Sequence, residues 1–151
     1  MKPRKQIAAL PVRFNKNGKL RILMVTSRDT GRWVMPKGWP MDGKKPWRAA
    51  EIEAMEEAGV RGTMSKEELG TYVYKKRLFN EKSVDCRVTL YPMNVEKLLR
   101  RWPERHERRR KWFSPKGAAK AVREPQLQVL LKGLADKKMR RPVVRFMKQA
   151  A

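Results

Sequence analysis

Cysteine and histidine are almost missing from this 151-residue chain, with one of each, Cys86 and His106. A lone cysteine excludes an internal disulfide framework and any multi-cysteine zinc site. Cys86 lies in an alternating apolar segment and reads as a buried strand residue, while His106, in a dense polar run, reads as a surface or packing residue. No stretch approaches the roughly 20 consecutive apolar residues that a membrane span needs. Residues 1–6 are basic, but no continuous apolar segment follows them, so a secretory leader is not expected and the expected compartment is the cytoplasm. Acidic side chains are also scarce, 15 against 38 lysines and arginines, which gives a net charge of +23. So basic a chain calls for anionic partners: nucleic acid, an acidic membrane surface or polyphosphorylated small molecules. No internal repeat is visible.

The few acids are not spread evenly. Residues 46–70 carry 3 basic and 6 acidic side chains, whereas residues 96–123 carry 11 and 3. Pro46 suits a first helical turn and Gly59 the position just past a helix end, which predicts a short helix between them. On that helix Trp47, Ala54 and Ala58 share one side, and Glu53, Glu56 and Glu57 share the other. Like charges spaced i, i+3, i+4 repel. A divalent cation reverses that balance, because hard oxygen ligands suit Mg²⁺ and Mn²⁺. An acidic ledge within a basic chain therefore fits a metal site surrounded by cations, the arrangement a phosphate-rich substrate requires.

The rest of the chain reads as strands and short helices. Residues 6–14 and 19–26 are strand-like around an Asn17-Gly18 turn. Residues 33–35 form a short strand stopped by Pro36, and residues 37–45, with Gly38, Pro40 and Gly43, read as a loop. Residues 69–78 and 84–95 read as two further strands joined as a hairpin over residues 80–83. Residues 95–101 suggest a short helix and residues 111–113 another strand. Ser114 is placed to cap a helix over 115–122, and Leu127, Leu130, Leu131 and Leu134 lie at helical spacing within 125–134. Residues 136–151 are basic, contain Pro142 and read as a mobile tail. The expected fold is α+β, an α/β/α sandwich with a mixed central β-sheet flanked by helices, with one domain over residues 1–135 and the tail beyond it.

Gly38 followed by Glu53-Ala54-Met55-Glu56-Glu57-Ala58-Gly59-Val60 resembles the Nudix box, G-x5-E-x7-R-E-U-x-E-E-x-G-U with U aliphatic. The residues before it, 23–28 and 32–38, and the later run 102–113 are similar to the diphosphoinositol polyphosphate phosphohydrolases and their bacterial relatives. The similarity covers about residues 6–135. It implies a pyrophosphohydrolase that uses Mg²⁺ or Mn²⁺ and water to cleave a phosphoanhydride bond. A diphosphoinositol polyphosphate or a dinucleoside polyphosphate would be the substrate. By this resemblance Glu56 and Glu57 match the principal metal ligands, Glu53 a ligand or general base, and Gly38 a backbone carbonyl near the metal. Lys37 is the first candidate for substrate phosphate, then Arg28, Arg32 and Lys45, with Arg13 and residues 75–77 behind. Trp33, Trp47 and Trp112 read as core residues.

Two positions depart from the pattern. Lys44 stands at the first box Glu, and Ile52 at the box Arg. Ile52 lies four residues before Glu56, where an arginine could pair with that glutamate; losing such support typically costs about 10–100-fold in metal affinity or activity. Weakened catalysis is therefore expected, and Ile52→Arg is expected to turn over faster or need less metal. The alternative is a Nudix fold that has lost catalysis and binds polyphosphate or RNA through charge. No helix-turn-helix, zinc-finger or RNA-recognition signature accompanies the basic run.

Overall fold

The computed structural model describes residues 2–80 and 82–151. Its centre is a parallel pair, β1 (Arg4–Phe14) and β7 (Ser83–Leu98), in register from Arg4 opposite Cys86 to Val12 opposite Asn94. Burial on both faces explains the unbroken run of covered residues over 6–12 in β1. Antiparallel strands surround the pair in one eight-stranded mixed sheet. β2 (Leu20–Thr26) pairs with the end of β1 and also with β3 (Trp33–Val34) and β8 (Arg110–Phe113). On the other flank, β5 (Val60–Met64) and β6 (Gly70–Arg77) both lie along the long β7. Pro11 falls where β1 changes neighbours, after β4 (Lys37–Gly38) at residues 7–8 and before β2 at residues 12–14. A residue without an N–H interrupts that edge least there.

Two cores lie on opposite faces of the sheet. One buries Ala9, Leu23, Val25, Val60 and Met93 under α1 (Pro46–Ala58), whose Ala49, Ala50, Ala54 and Ala58 all face inward. Small side chains let that helix approach the sheet closely. The other core joins Leu10, Ile22, Met24 and Leu90 to α2 (Pro115–Ala121), α3 (Pro125–Gly133) and α4 (Arg141–Ala150). The result is the expected α+β sandwich. Cys86 is buried on β7, and Trp33, Trp47 and Trp112 pack half-buried against the two cores.

Several local expectations hold and others change. Ser114 Oγ accepts from the Gly117 N–H at 3.0 Å, capping α2. Leu127, Leu131 and Leu134 are buried along the α3 face. The hairpin turn over residues 80–83 includes residue 81, outside the described residues. Residues 37–38 are a short strand and not the start of a loop, because Lys37 and Gly38 pair with Ala8 and Ile7. The helix expected over 95–101 is strand to Leu98, since β7 keeps pairing with β5, which the sequence reading had not separated from its surroundings. Residues 141–150, read as part of a mobile tail, form α4, seated on the core by Val143 and Met147. Among the described residues no helix is long and apolar enough to cross a membrane.

The end of α1 is held more firmly than a helix terminus requires. Four carbonyls are normally left without partners there. Here Gly59 N–H donates to Met55 O at 3.0 Å, Glu104 N–H to Glu56 O at 3.1 Å, and Trp102 Nε1–H to Glu57 O at 3.1 Å. Arg110 Nη1 donates to Ala58 O at 3.0 Å and to Gly59 O at 3.1 Å. Gly59 takes φ +63°, and a Cβ there would meet the Trp102 ring at 2.5 Å. Gly59→Ala is therefore expected to cost more than about 2 kcal/mol, from left-handed strain of about 1–2 kcal/mol plus the displaced ring. A lowered urea midpoint at unchanged slope checks this.

Candidate active site

Because the last turn of α1 is pinned on all four carbonyls, its glutamates project from a fixed base. Glu57, although charged in type, is only 4% exposed. Its Oε2 accepts from the Lys37 N–H at 3.3 Å, and its Oε1 lies 3.5 Å from Arg108 Nη2. Glu53 packs directly on Gly38: a Cβ at residue 38 would lie 2.5 Å from the Glu53 carboxyl carbon. The Glu53 and Glu57 carboxyls lie close enough to influence each other's titration. Burial first, then the bond from Glu53, pushes Glu57 up to about 9, with Arg108 opposing. Burial likewise raises Glu53, helped by the charges of Glu56 and Glu104. Glu56 stands on the same helical face but outside this pair. Among the described residues no three acidic, histidine or cysteine side chains converge closely enough to form a cage.

This donor set suits a divalent cation. A buried Glu57 carboxyl beside a half-buried Glu53 carboxyl offers hard oxygen ligands whose negative charge a divalent cation can balance. Before any cation binds, Glu57 must lose its proton. The fold favours the neutral form of Glu57, whose unfolded value is near 4.3. That contribution to stability is complete below about pH 4 and is lost as pH rises toward about 9. The chelator-treated protein is thus expected to show a falling urea midpoint between about pH 5 and pH 9. Glu57→Gln should flatten the slope, and saturating Mg²⁺ should flatten it in the unchanged protein.

Beside the glutamates runs a cleft of about 380 Å³, lined by Arg32, Lys37, Tyr74, Lys75, Lys76, Arg77 and Arg123, with Asp29 as its one acid. Of the four phosphate candidates, Lys37 and Arg32 line it. The Lys37 ammonium sits 4.9 Å over the Tyr74 ring, and burial lowers its pKa against the pull of Glu57. Arg32 Nη1 lies 2.8 Å from Glu124 at the cleft wall. Arg28 is turned elsewhere, paired with Glu107 at 3.3 Å and Glu104 at 3.9 Å. Lys45 caps the start of α1, away from the cleft lining. Residues 75–77 reach the cleft from β6, while Arg13 stacks on Trp112. His106 is exposed and accepts from Arg105 Nε at 2.9 Å.

Three residues at the site carry no individual signal in the sequence. Arg108 is nearly buried; its Nε bonds Glu104 at 2.7 Å, its Nη1 donates to Thr26 O at 3.1 Å, and its Nη2 reaches Glu57. Glu104 fixes Arg108 through its side chain and α1 through its backbone. Arg123 joins the cleft from beyond α2. Only their place in a strongly basic run marks them, and nine other cations of residues 96–123 share that mark.

Comparison with known proteins agrees with this geometry. The NUDIX domain matches residues 4–132. Nudix hydrolase 13, mitochondrial, of Arabidopsis thaliana is 32% identical over 121 residues, 75% of this chain and 58% of that protein. Diphosphoinositol polyphosphate phosphohydrolase 3-alpha of Homo sapiens is 30% identical over 123 residues, 79% of this chain and 69% of that protein. A NUDIX hydrolase structure from Nitrosomonas europaea superposes with a TM-score of 0.65 at 18% identity, covering 87% of each chain. The chain belongs to the Nudix family. It spans 56–65% of the length of three plant relatives it matches.

Proposed function

We propose that the protein is a metal-dependent pyrophosphohydrolase that cleaves a phosphoanhydride bond in a polyphosphorylated small molecule. The observation that carries this reading is the buried Glu57 carboxyl, with Glu53 packed on Gly38 from the same helix, beside a cleft lined by six cations. Glu53, Glu56 and Glu57, with the Gly38 carbonyl, would hold Mg²⁺ or Mn²⁺. The ion, when bound, neutralises phosphate oxygens and lowers the pKa of the attacking water.

The chain's own side chains do the rest. Lys37, Arg32, Lys76 and Arg77 hold the substrate's phosphates along the cleft, where a low-dielectric wall strengthens each contact. Glu53 takes the proton of the water whose oxygen forms the new bond to phosphorus. The bridging oxygen leaves with the departing phosphate. Gly38 lets the Glu53 carboxyl lie against the backbone, and Arg108 fixes the direction of Glu57.

Six cations and a covered tyrosine favour many phosphates over a nucleobase, so a diphosphoinositol polyphosphate is preferred to a dinucleoside polyphosphate. The name of the human relative supports the same class. Decayed catalysis is the weaker reading, because a guanidinium still reaches Glu57 although residue 52 is Ile. The test is phosphate release from both substrate classes with Mg²⁺ and with Mn²⁺. Turnover of the inositol substrate that ceases in chelator is expected. No metal-dependent release from any diphosphate would end the hydrolase reading.

A further inference from the structure

On the layer opposite α1, two concavities meet. One, about 470 Å³, lies between the turn before β2, the start of α2 and the segment leading to α4; Lys19, Arg21 and Lys116 form its outer wall. The other, about 530 Å³, runs along α4, with Arg141, Arg145 and Lys148 on one stripe. Lys137 and Arg140 line both and make them one trough. Neither concavity is lined by an acidic or aromatic side chain.

At the glutamate site part of the positive charge is already answered, because Arg32 pairs with Glu124 and Arg108 with Glu104 and Glu57. Among the described residues, no cation of the trough forms an ion pair or stacks on a ring. Adjacent charges on α4 fall three or four residues apart, about 5–6 Å along the helix. Their mutual repulsion is a cost that a linear polyanion would remove.

We infer that this trough binds the sugar–phosphate backbone of single-stranded nucleic acid, independently of base sequence. An amphipathic basic helix can also lie on an anionic membrane, but it does so by inserting its apolar face. On α4 that face is used up: Val143 and Met147 are buried against the sheet. The absence of aromatic platforms removes base stacking, so contacts go to phosphates and no sequence preference arises. The trough lies on the other layer from the glutamates, so the binding stands apart from the hydrolase reading.

The test measures binding of labelled oligo-uridine and oligo-thymidine, about 12 nucleotides long, between about 50 and 200 mM salt. Measurable affinity for both is expected, with a log–log salt slope of about −3 to −4 for roughly five phosphate contacts. A variant with Lys137, Arg140, Arg141 and Arg145 all changed to Gln should lose at least about tenfold in affinity. Its slope should be shallower by about 3. A charge-matched control changes Arg61, Lys97, Arg100 and Arg101 to Gln and should keep nearly all the binding. Both should retain native melting and hydrolase rates. If the first variant does not fold, Lys19→Gln with Lys116→Gln tests the opposite wall, and roughly twofold or greater weakening is expected. Equal losses in trough and control variants would reduce the effect to bulk charge and overturn the proposal. So would binding to phosphatidylserine vesicles without binding to either oligonucleotide.

Discussion

Gly38→Ala is expected to lower kcat by about 100-fold or more while leaving the fold intact. A Cβ at residue 38 would occupy the space of the Glu53 carboxyl, 2.5 Å from its Cδ and 2.6 Å from one oxygen. The backbone of Gly38 cannot retreat, because it pairs with Ile7 on β1, a central strand. The side chain must therefore yield, moving the Glu53 oxygens by about an ångström, and displacement on that scale costs on the order of 100-fold. The clashing atoms are the end of a half-exposed side chain, so the stability loss should be small. Gly38 has no positive φ to satisfy, which separates this effect from backbone strain. Circular dichroism and melting near the unchanged protein, with turnover lost at saturating metal, would establish the steric cause. Full activity would show that Glu53 works from a different position.

Part of this candidate site is legible in the sequence alone. The spacing of Glu53, Glu56 and Glu57 between Pro46 and Gly59 follows from local rules, because helix periodicity and stop signals depend on neighbours in sequence. The same holds for the Ser114 cap and the α3 leucines. What could not be read was the supply of partners from distant segments. Arg108 meets Glu57 across 51 positions, and Trp102 and Arg110 close the α1 carbonyls only because β7 and β8 bring their connecting loop back to the helix. Arg28 shows the converse: it was placed near phosphate by its position before the box, but Glu104 and Glu107, far along the chain, claim it. The missed β5 and the mistaken helix at residues 95–101 have one cause. Short apolar segments carry little periodicity, and strand pairing between them was settled by tertiary contact. In α4, the charges suggested a solvated tail, whereas Val143 and Met147, four residues apart, were the signal of a docked helix.

Arg108→Ala is expected to raise the Mg²⁺ concentration needed for half-maximal activity by about 10–100-fold, the usual effect of losing a group that orients a ligand. Ile52 leaves α1 without an arginine four residues before Glu56, and the arginine the helix does carry, Arg48, pairs with Glu51 at 2.8 Å. Arg108 supplies a guanidinium from the β7–β8 connection instead. It is anchored on the Glu104 carboxylate and the Thr26 carbonyl, with its remaining nitrogen directed at Glu57. A fork held at two points cannot swing away, so Glu57 is held by geometry as well as by charge. Arg108→Lys keeps the charge without the fork and should fall between the two, since lysine cannot span three acceptors. A structural role alone would lower melting without altering metal demand. Mn²⁺ affinity measured by electron paramagnetic resonance, without substrate, separates the two cases. Ile52→Arg would address Glu56 and Arg108 addresses Glu57, so Ile52→Arg is expected to lower the metal demand with or without Arg108. If Arg108→Ala binds Mn²⁺ as tightly as the unchanged protein and turns over equally fast, Glu57 is oriented by the helix alone and Arg108 only ties the loop to β2.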